Sequence, residues 1–254
     1  MKPLCSGVNI YGMEPVSWNN YLRHLRALVN YAIEIDECRH WQPLRGIREL
    51  PVQRHLQKTV SDRDLKTVLA FLASDAGSDC CHPGWFWVKV IRTLYYTGMR
   101  RRQLVGLVWA DCDFETRSVR LRAETSKTRR AWDIPMPEPV AAMLRALQER
   151  SAVVMGREPG LQDQVFNVTL FHSRYKGRQM TEAQVSGFFR RLKNQTGIAI
   201  STHRLRHTFG TKAARTGQLR QVQAVMGHAD LKTTLGYVQA DMSGMRDVMG
   251  AVQL

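Results

Sequence analysis

The chain has 254 residues, 44% hydrophobic and 23% charged, which is enough for a globular domain with a small companion and rules out a disordered chain. No run of about 18 apolar residues exists to span a bilayer. The start, Met1 to Gly7, lacks the apolar core of a secretory signal, and five cysteines without framework spacing fit reduced thiols in the cytoplasm. With 37 Lys and Arg against 22 Asp and Glu, the net charge of +15 points to a polyanionic partner, because each neutralised phosphate releases counterions.

Taken in chain order, Trp18 to Glu34 places Tyr21, Leu25, Leu28, Val29 and Ala32 at helical spacing and predicts an amphipathic helix. Pro43 and Pro51 bracket a linker from Gln42 to Gln57. Ser61 with Asp64 three residues on marks a helix start, running to about Ala73. A second apolar helix, Trp85 to Tyr96, stops at Gly98. Three short stretches rich in β-branched and aromatic residues follow: Trp109 to Phe114, Ser118 to Ala123 and Ala131 to Met136. They predict a small antiparallel sheet. Pro137 opens a helix to about Glu149, and further helices are expected over Thr181 to Asn194, Thr202 to Arg215 and Leu219 to Met226. The expected class is mainly α with a small antiparallel β-sheet (α+β).

Charge is distributed unevenly along this layout. Residues 1–56 carry seven basic and five acidic side chains, a net of only +2, so +13 of the +15 lies downstream. Six basic residues face only Glu124 between Arg117 and Arg130, six face only Glu182 between Arg174 and Lys193, and five face none between Arg204 and Arg220. None of these clusters sits opposite the strong apolar face that a membrane-surface helix needs, so nucleic acid is the better reading.

Four segments carry chemistry jointly. In Thr97-Gly98-Met99-Arg100, the glycine ends one helix and the arginine opens the next, where free N–H groups favour an anion. In His203-Arg204-Leu205-Arg206-His207-Thr208, His203 and Arg206 share one helix face, an imidazole and a planar guanidinium that suit a phosphate. His203 and His207 also have the i, i+4 spacing of a zinc site, but the acid of the zinc protease motif is absent and no third ligand is evident. The remaining two are Met226-Gly227-His228 and Tyr237, nine residues later.

In order and spacing these segments resemble the tyrosine recombinases of the phage integrase type. That family shows T-G-[LM]-R, then H-x-L-R-H-[ST], then [LM]-G-H, then a tyrosine about nine residues on. The resemblance covers about residues 58–245. It implies that Arg100, His203, Arg206 and His228 hold a scissile phosphate and that Tyr237 attacks it. Lys127, between the second and third expected strands, occupies the place of the family's hairpin lysine. By the same resemblance, residues 1–52 form part of a helical core-binding domain that clamps DNA, and 58–254 form the catalytic domain with a C-terminal tail.

The implied reaction leaves a 3′-phosphotyrosyl link that conserves the bond energy, so rejoining needs neither ATP nor metal, and no cofactor is expected. Arg100 and Arg206 supply fixed charge, His203 and His228 add donors and share proton handling, and Lys127 protonates the leaving 5′ oxygen. The phenol of Tyr237, ordinarily near 10, needs nearby cations to reach its phenolate. The implied partners are double-stranded DNA at specific recombination sites and three further copies in a tetramer, working through a Holliday junction in the cytoplasm at the nucleoid. Two features depart from the family pattern. Gln103 stands where an acid usually supports the first arginine, and the N-terminal helical piece is short. A type IB topoisomerase would share the phosphate chemistry, and a DNA-binding accessory protein would share only the charge.

Overall fold

The computed structural model describes residues 12–37, 43–52, 57–125, 130–175 and 177–238. The chain divides into two compact units, residues 1–56 and 57–254. Among the described residues no helix is long and apolar enough to cross a membrane.

The first unit is built on α1 (Pro15–Glu34), with a proline in its first turn. Asn19 organises it. Its Nδ2 donates to the Leu50 carbonyl and its Oδ1 accepts from the Leu50 N–H, both at 2.8 Å, as a strand neighbour would. That clamp, with the Arg23–Glu49 ion pair at 3.0 Å, turns Asn19 and Leu22 inward. The stripe that the spacing marked as apolar consequently faces outward. Tyr21 is 59%, Leu25 48% and Leu28 64% exposed.

The second unit is mainly helical. α2 (Asp62–Ala73) starts where expected, Ser61 Oγ accepting from the Asp64 N–H at 3.0 Å. A short α3 (Asp75–Cys80) follows, then α4 (Gly84–Thr97), which ends on Gly98 at φ +61°. α5 (Arg101–Gly106) leads to the three-stranded antiparallel sheet of β1 (Cys112–Asp113), β2 (Ser118–Leu121) and β3 (Trp132–Pro135), ordered β1-β2-β3. The register pairs Cys112 with Val119 and Val119 with Ile134. The first expected strand is mostly a 3₁₀ turn, Trp109–Asp111. There the Asp111 carboxylate accepts from the Val108 N–H and pairs with Arg122 at 2.7 Å, curling the chain before it can extend.

α6 (Glu138–Met155) runs six residues beyond Glu149, to the left-handed Gly156. α7 (Glu182–Thr196) is capped by Thr181, and α8 (Thr202–Ala214) by Ser201. α9 (Leu219–Met226) and a short α10 (Leu231–Leu235) complete the described chain. The core lies between α4, α6, α7 and the sheet, where Trp87 of α4 stacks on Phe188 of α7 at 3.9 Å. Each such buried aromatic contributes about 2–3 kcal/mol of burial. α8 lies along α4, so the helix carrying His203 and Arg206 is fixed beside the one that ends at Gly98.

Candidate functional site

Arg206 joins three of the four motif segments. It is 5% exposed, on the face of α8 turned toward the ends of α4 and α9. Its Nη1 donates to the Gly98 carbonyl at 2.7 Å, and its Nη2 donates to the Met226 carbonyl at 2.7 Å. The same Nη2 lies 3.0 Å from His228 Nε2. Two helix-ending carbonyls, orphaned by the geometry of any helix C-terminus, thus become its acceptors.

The glycines that end those helices are required. Gly98 and Gly227 both sit at φ +61°, where a side chain is strained. A Cβ on Gly98 would stand 2.3 Å from the Phe209 ring of α8, and one on Gly227 would stand 2.3 Å from the Trp132 ring of β3. Trp132 Nε1 also donates to the Val225 carbonyl at 3.2 Å. One end of the β2–β3 hairpin is thereby docked onto the turn that presents His228. Lys127, in the segment that joins Leu121 to Trp132 in sequence, lies outside the described residues.

Tyr237 is 5% exposed, with its ring parallel to that of His228 at 5.8 Å and tilted against His207 at 5.5 Å. Gly210 of α8 makes room for it, since a Cβ there would meet the Tyr237 ring at 2.7 Å. His203 is exposed and stands 4.6 Å from His207 in an edge-on contact. Arg100 caps α5, and its charge acts on Arg206, His228 and Tyr237. Arg100, His203, Arg206, His228 and Tyr237 therefore gather at one place. Among the described residues no carboxylate pairs with either arginine, and Arg100 Nη1 is buried without a partner.

The electrostatics follow from that uncompensated charge. Burial, then the neighbouring Arg100, lowers Arg206 to about 10, which leaves it protonated at neutral pH. Burial, then Arg206 and Arg100, pushes His228 down to about 4, and burial with His203 and Arg206 does the same to His207. His228 is therefore neutral at pH 7 in the DNA-free protein. Burial also raises the Tyr237 phenol, although the charge and hydrogen bonding of Arg206 and the charge of Arg100 pull it back. The cations do not by themselves free the phenolate.

Gln103 is 1% exposed, and its Oε1 accepts from the Arg100 N–H at 2.7 Å. It holds the backbone of Arg100, while its Nε2 is buried without a partner. Among the described residues no group of three or more His, Cys, Asp or Glu gathers to hold a metal, the His203–His207 pair included. Sequence reasoning missed three supporting residues: Gly210, Trp132 and Thr234, whose Oγ1 lies 2.9 Å from His228 Nδ1. A glycine inside an otherwise regular helix was the one signal that could have marked the first.

The chain is 31% identical over 255 residues to "Putative tyrosine recombinase XerC" of Pseudomonas aeruginosa, covering 96% of this chain and 58% of that protein. It is 32% identical to the protein of the same name from Pseudomonas syringae, covering 92% of this chain and 50% of that one. The chain thus spans about half the length of these relatives. Among solved structures, the fold is shared with the Tn1549 transposon integrase in complex with transposon right end DNA. The TM-score is 0.71 at 23% identity, over 95% of this chain and 80% of that one. It is shared too with the XerH site-specific recombinase bound to difH substrate, with a TM-score of 0.63 at 18% identity, over 95% of this chain and 66% of that one. The profile of the phage integrase family matches residues 61–243, the stretch that holds all four motif segments, and the chain belongs to that family.

Proposed function

We propose that this protein is a site-specific DNA recombinase that cleaves a strand by attack of Tyr237 and rejoins it from the resulting 3′-phosphotyrosyl intermediate. The observation that carries the reading is the convergence of Arg206 with Gly98, Met226 and His228, beside a buried tyrosine and a second unpaired arginine. A buried guanidinium (Arg206) and a half-buried one (Arg100), with no carboxylate paired to either among the described residues, favour an anion, and a phosphodiester with its non-bridging oxygens fits their planar donors.

Each residue then has a task. Arg100 and Arg206 hold the phosphate and stabilise the charge that builds on its equatorial oxygens. His203, at the exposed edge, adds a donor, and His228 orients Arg206 through Nε2. The arriving phosphodiester excludes water from a site whose tyrosine is already packed in place, so little reorganisation precedes attack. Tyr237 gives its proton to His203, the imidazole at the open edge of the site, as its oxygen bonds to phosphorus and the bond to the leaving 5′ oxygen breaks. The phosphate's charge compensates the arginines, and their field in turn stabilises the developing anion. Lys127 gives its proton to the leaving 5′ oxygen. The linkage stored on Tyr237 is then attacked by a 5′ hydroxyl of another strand. Two such exchanges pass through a Holliday junction and need four active sites, hence a homotetramer on duplex DNA, acting at the nucleoid. Residues 1–52 would serve as part of a helical core-binding domain that clamps DNA.

A nicked suicide substrate, whose short 3′ fragment diffuses away after cleavage, tests this. The protein should accumulate a covalent adduct on denaturing gels, and Tyr237→Phe should bind the same DNA with unchanged affinity and form none. Adduct formation by Tyr237→Phe would refute the assignment. A topoisomerase would instead relax supercoiled DNA that lacks any specific site.

A further inference from the structure

The His228 ring is held at both nitrogens, 3.0 Å from Arg206 Nη2 on the Nε2 side and 2.9 Å from Thr234 Oγ1 on the Nδ1 side. A guanidinium nitrogen donates and accepts nothing, so Nε2 is the acceptor in the first contact. A neutral imidazole carries one N–H. With Nε2 bare, the hydrogen sits on Nδ1 and is donated to the threonine hydroxyl. The doubly protonated ring would point a hydrogen at Arg206, and its charge would add to two uncompensated arginines. The depressed value of about 4 agrees with this.

Thr234 is fully buried and lies in α10, three residues before Tyr237. The same short helix therefore fixes the histidine ring and delivers the tyrosine beside it, the two rings parallel within 4°. Asp230, whose Oδ1 accepts from the Lys232 N–H at 2.9 Å, starts that helix two residues after His228. The His228-to-Tyr237 spacing thus has a structural reason.

We propose that Thr234 is a positioning residue for strand cleavage, anchoring the Nδ1–H of the His228 ring so that Nε2 stays turned to Arg206 and orients it toward the phosphate. This rests on the reading of His228 and Arg206 as parts of the phosphate site. With the hydroxyl gone, the Nδ1–H has no acceptor, the ring is free to turn away, and the guanidinium would lose one of its three anchors.

The test compares Thr234→Val, which keeps the shape, with Thr234→Ser, which keeps the hydroxyl. Nitrogen-15 NMR of the imidazole rings in the full-length protein reads the tautomer directly, and suicide-substrate cleavage and DNA affinity are measured alongside. The unmodified protein should show His228 as Nδ1–H at pH 7. Thr234→Val should shift and broaden the His228 ring signals as the ring loses its anchor, and cleave about 10–100-fold more slowly, the range found when the partner orienting a metal-bound histidine is lost. Its DNA affinity should stay within about two-fold, and Thr234→Ser should restore both ring signals and rate. An Nε2–H tautomer in the unmodified protein overturns the proposal without cleavage being measured, and that spectrum stands even where Thr234→Val fails to fold. Shifted His228 ring signals with an unchanged cleavage rate overturn it differently, by removing His228 from the phosphate site.

Discussion

Gly210→Ala perturbs the site through a single methyl group. Gly210 lies inside α8, and a Cβ there would sit 2.7, 2.8 and 3.0 Å from Cδ1, Cε1 and Cγ of Tyr237. Carbon atoms in ordinary contact stand about 3.5–4.0 Å apart, so the ring must retreat by about 1 Å. Cγ is among the crowded atoms, so the shift cannot be absorbed by the far end of the side chain alone. On stability two effects oppose each other. Replacing a mid-helix glycine by alanine gains about 1 kcal/mol, and overpacking costs about 1–3 kcal/mol. At about 2–4 °C per kcal/mol for a domain of this size, Tm should move by only a few degrees. Catalysis has no such compensation, since a misplacement of about 1 Å costs on the order of 100-fold in rate. Covalent adduct formation on a suicide substrate, with DNA affinity and Tm taken on the same preparation, separates these effects. The expected result is near-normal binding and melting with adduct formation about 100-fold slower. A folded Gly210→Ala protein that forms adduct at the unmodified rate would refute the placement of Tyr237 against α8 as the reacting geometry.

Lys127→Ala should cleave ordinary DNA orders of magnitude more slowly, yet cleave a strand with sulfur at the bridging 5′ position nearly as fast as the unmodified protein, because a thiolate departs without protonation. Equal defects on both strands would leave Lys127 a backbone contact. DNA-free stability should fall on acidification between pH 6.5 and about 4. His207 and His228 have native values pushed down to about 4 while the unfolded chain takes up protons near 6.5, so the stability present above 6.5 is lost through that window. A Tm series should show this, and substituting both histidines with glutamine should flatten it. A slope unchanged in that double variant would contradict the buried, neutral state of the rings.

Elements with long periodic patterns were legible in the sequence. α2, α4, α7, α8 and α9 lie within about two residues of their expected bounds, because caps such as Ser61 and Thr181 and stops such as Gly98 act locally. The short elements were not. α3 and α10 have six and five residues, too few to show a period, and α10 is held by Asp230 and by Thr234 buried beneath His228. Tyr21, Leu25 and Leu28 on the apolar face of α1 are exposed because hydrogen bonds between Asn19 and the Leu50 backbone, not apolar spacing, decide which side turns in. In the site, residue identities and order were readable, since the chemistry limits which side chains serve a phosphate. Their electrostatics were not. The neutral state of His228 and the raised phenol of Tyr237 come from burial, which depends on Trp132, Phe209 and Gly210 packing from remote parts of the chain.

The central claim is that Tyr237 forms the bond to DNA. Digesting the covalent adduct with trypsin and nuclease leaves one peptide carrying a nucleotide, and tandem mass spectrometry reads which one. The sequence from Thr233 to Arg246 is a single tryptic peptide containing one tyrosine, Tyr237. The account predicts the nucleotide mass on that peptide, localised to Tyr237. A nucleotide found instead on the peptide bearing Tyr175, the phenol whose oxygen is bonded to Arg191 at 2.7 Å, would contradict it.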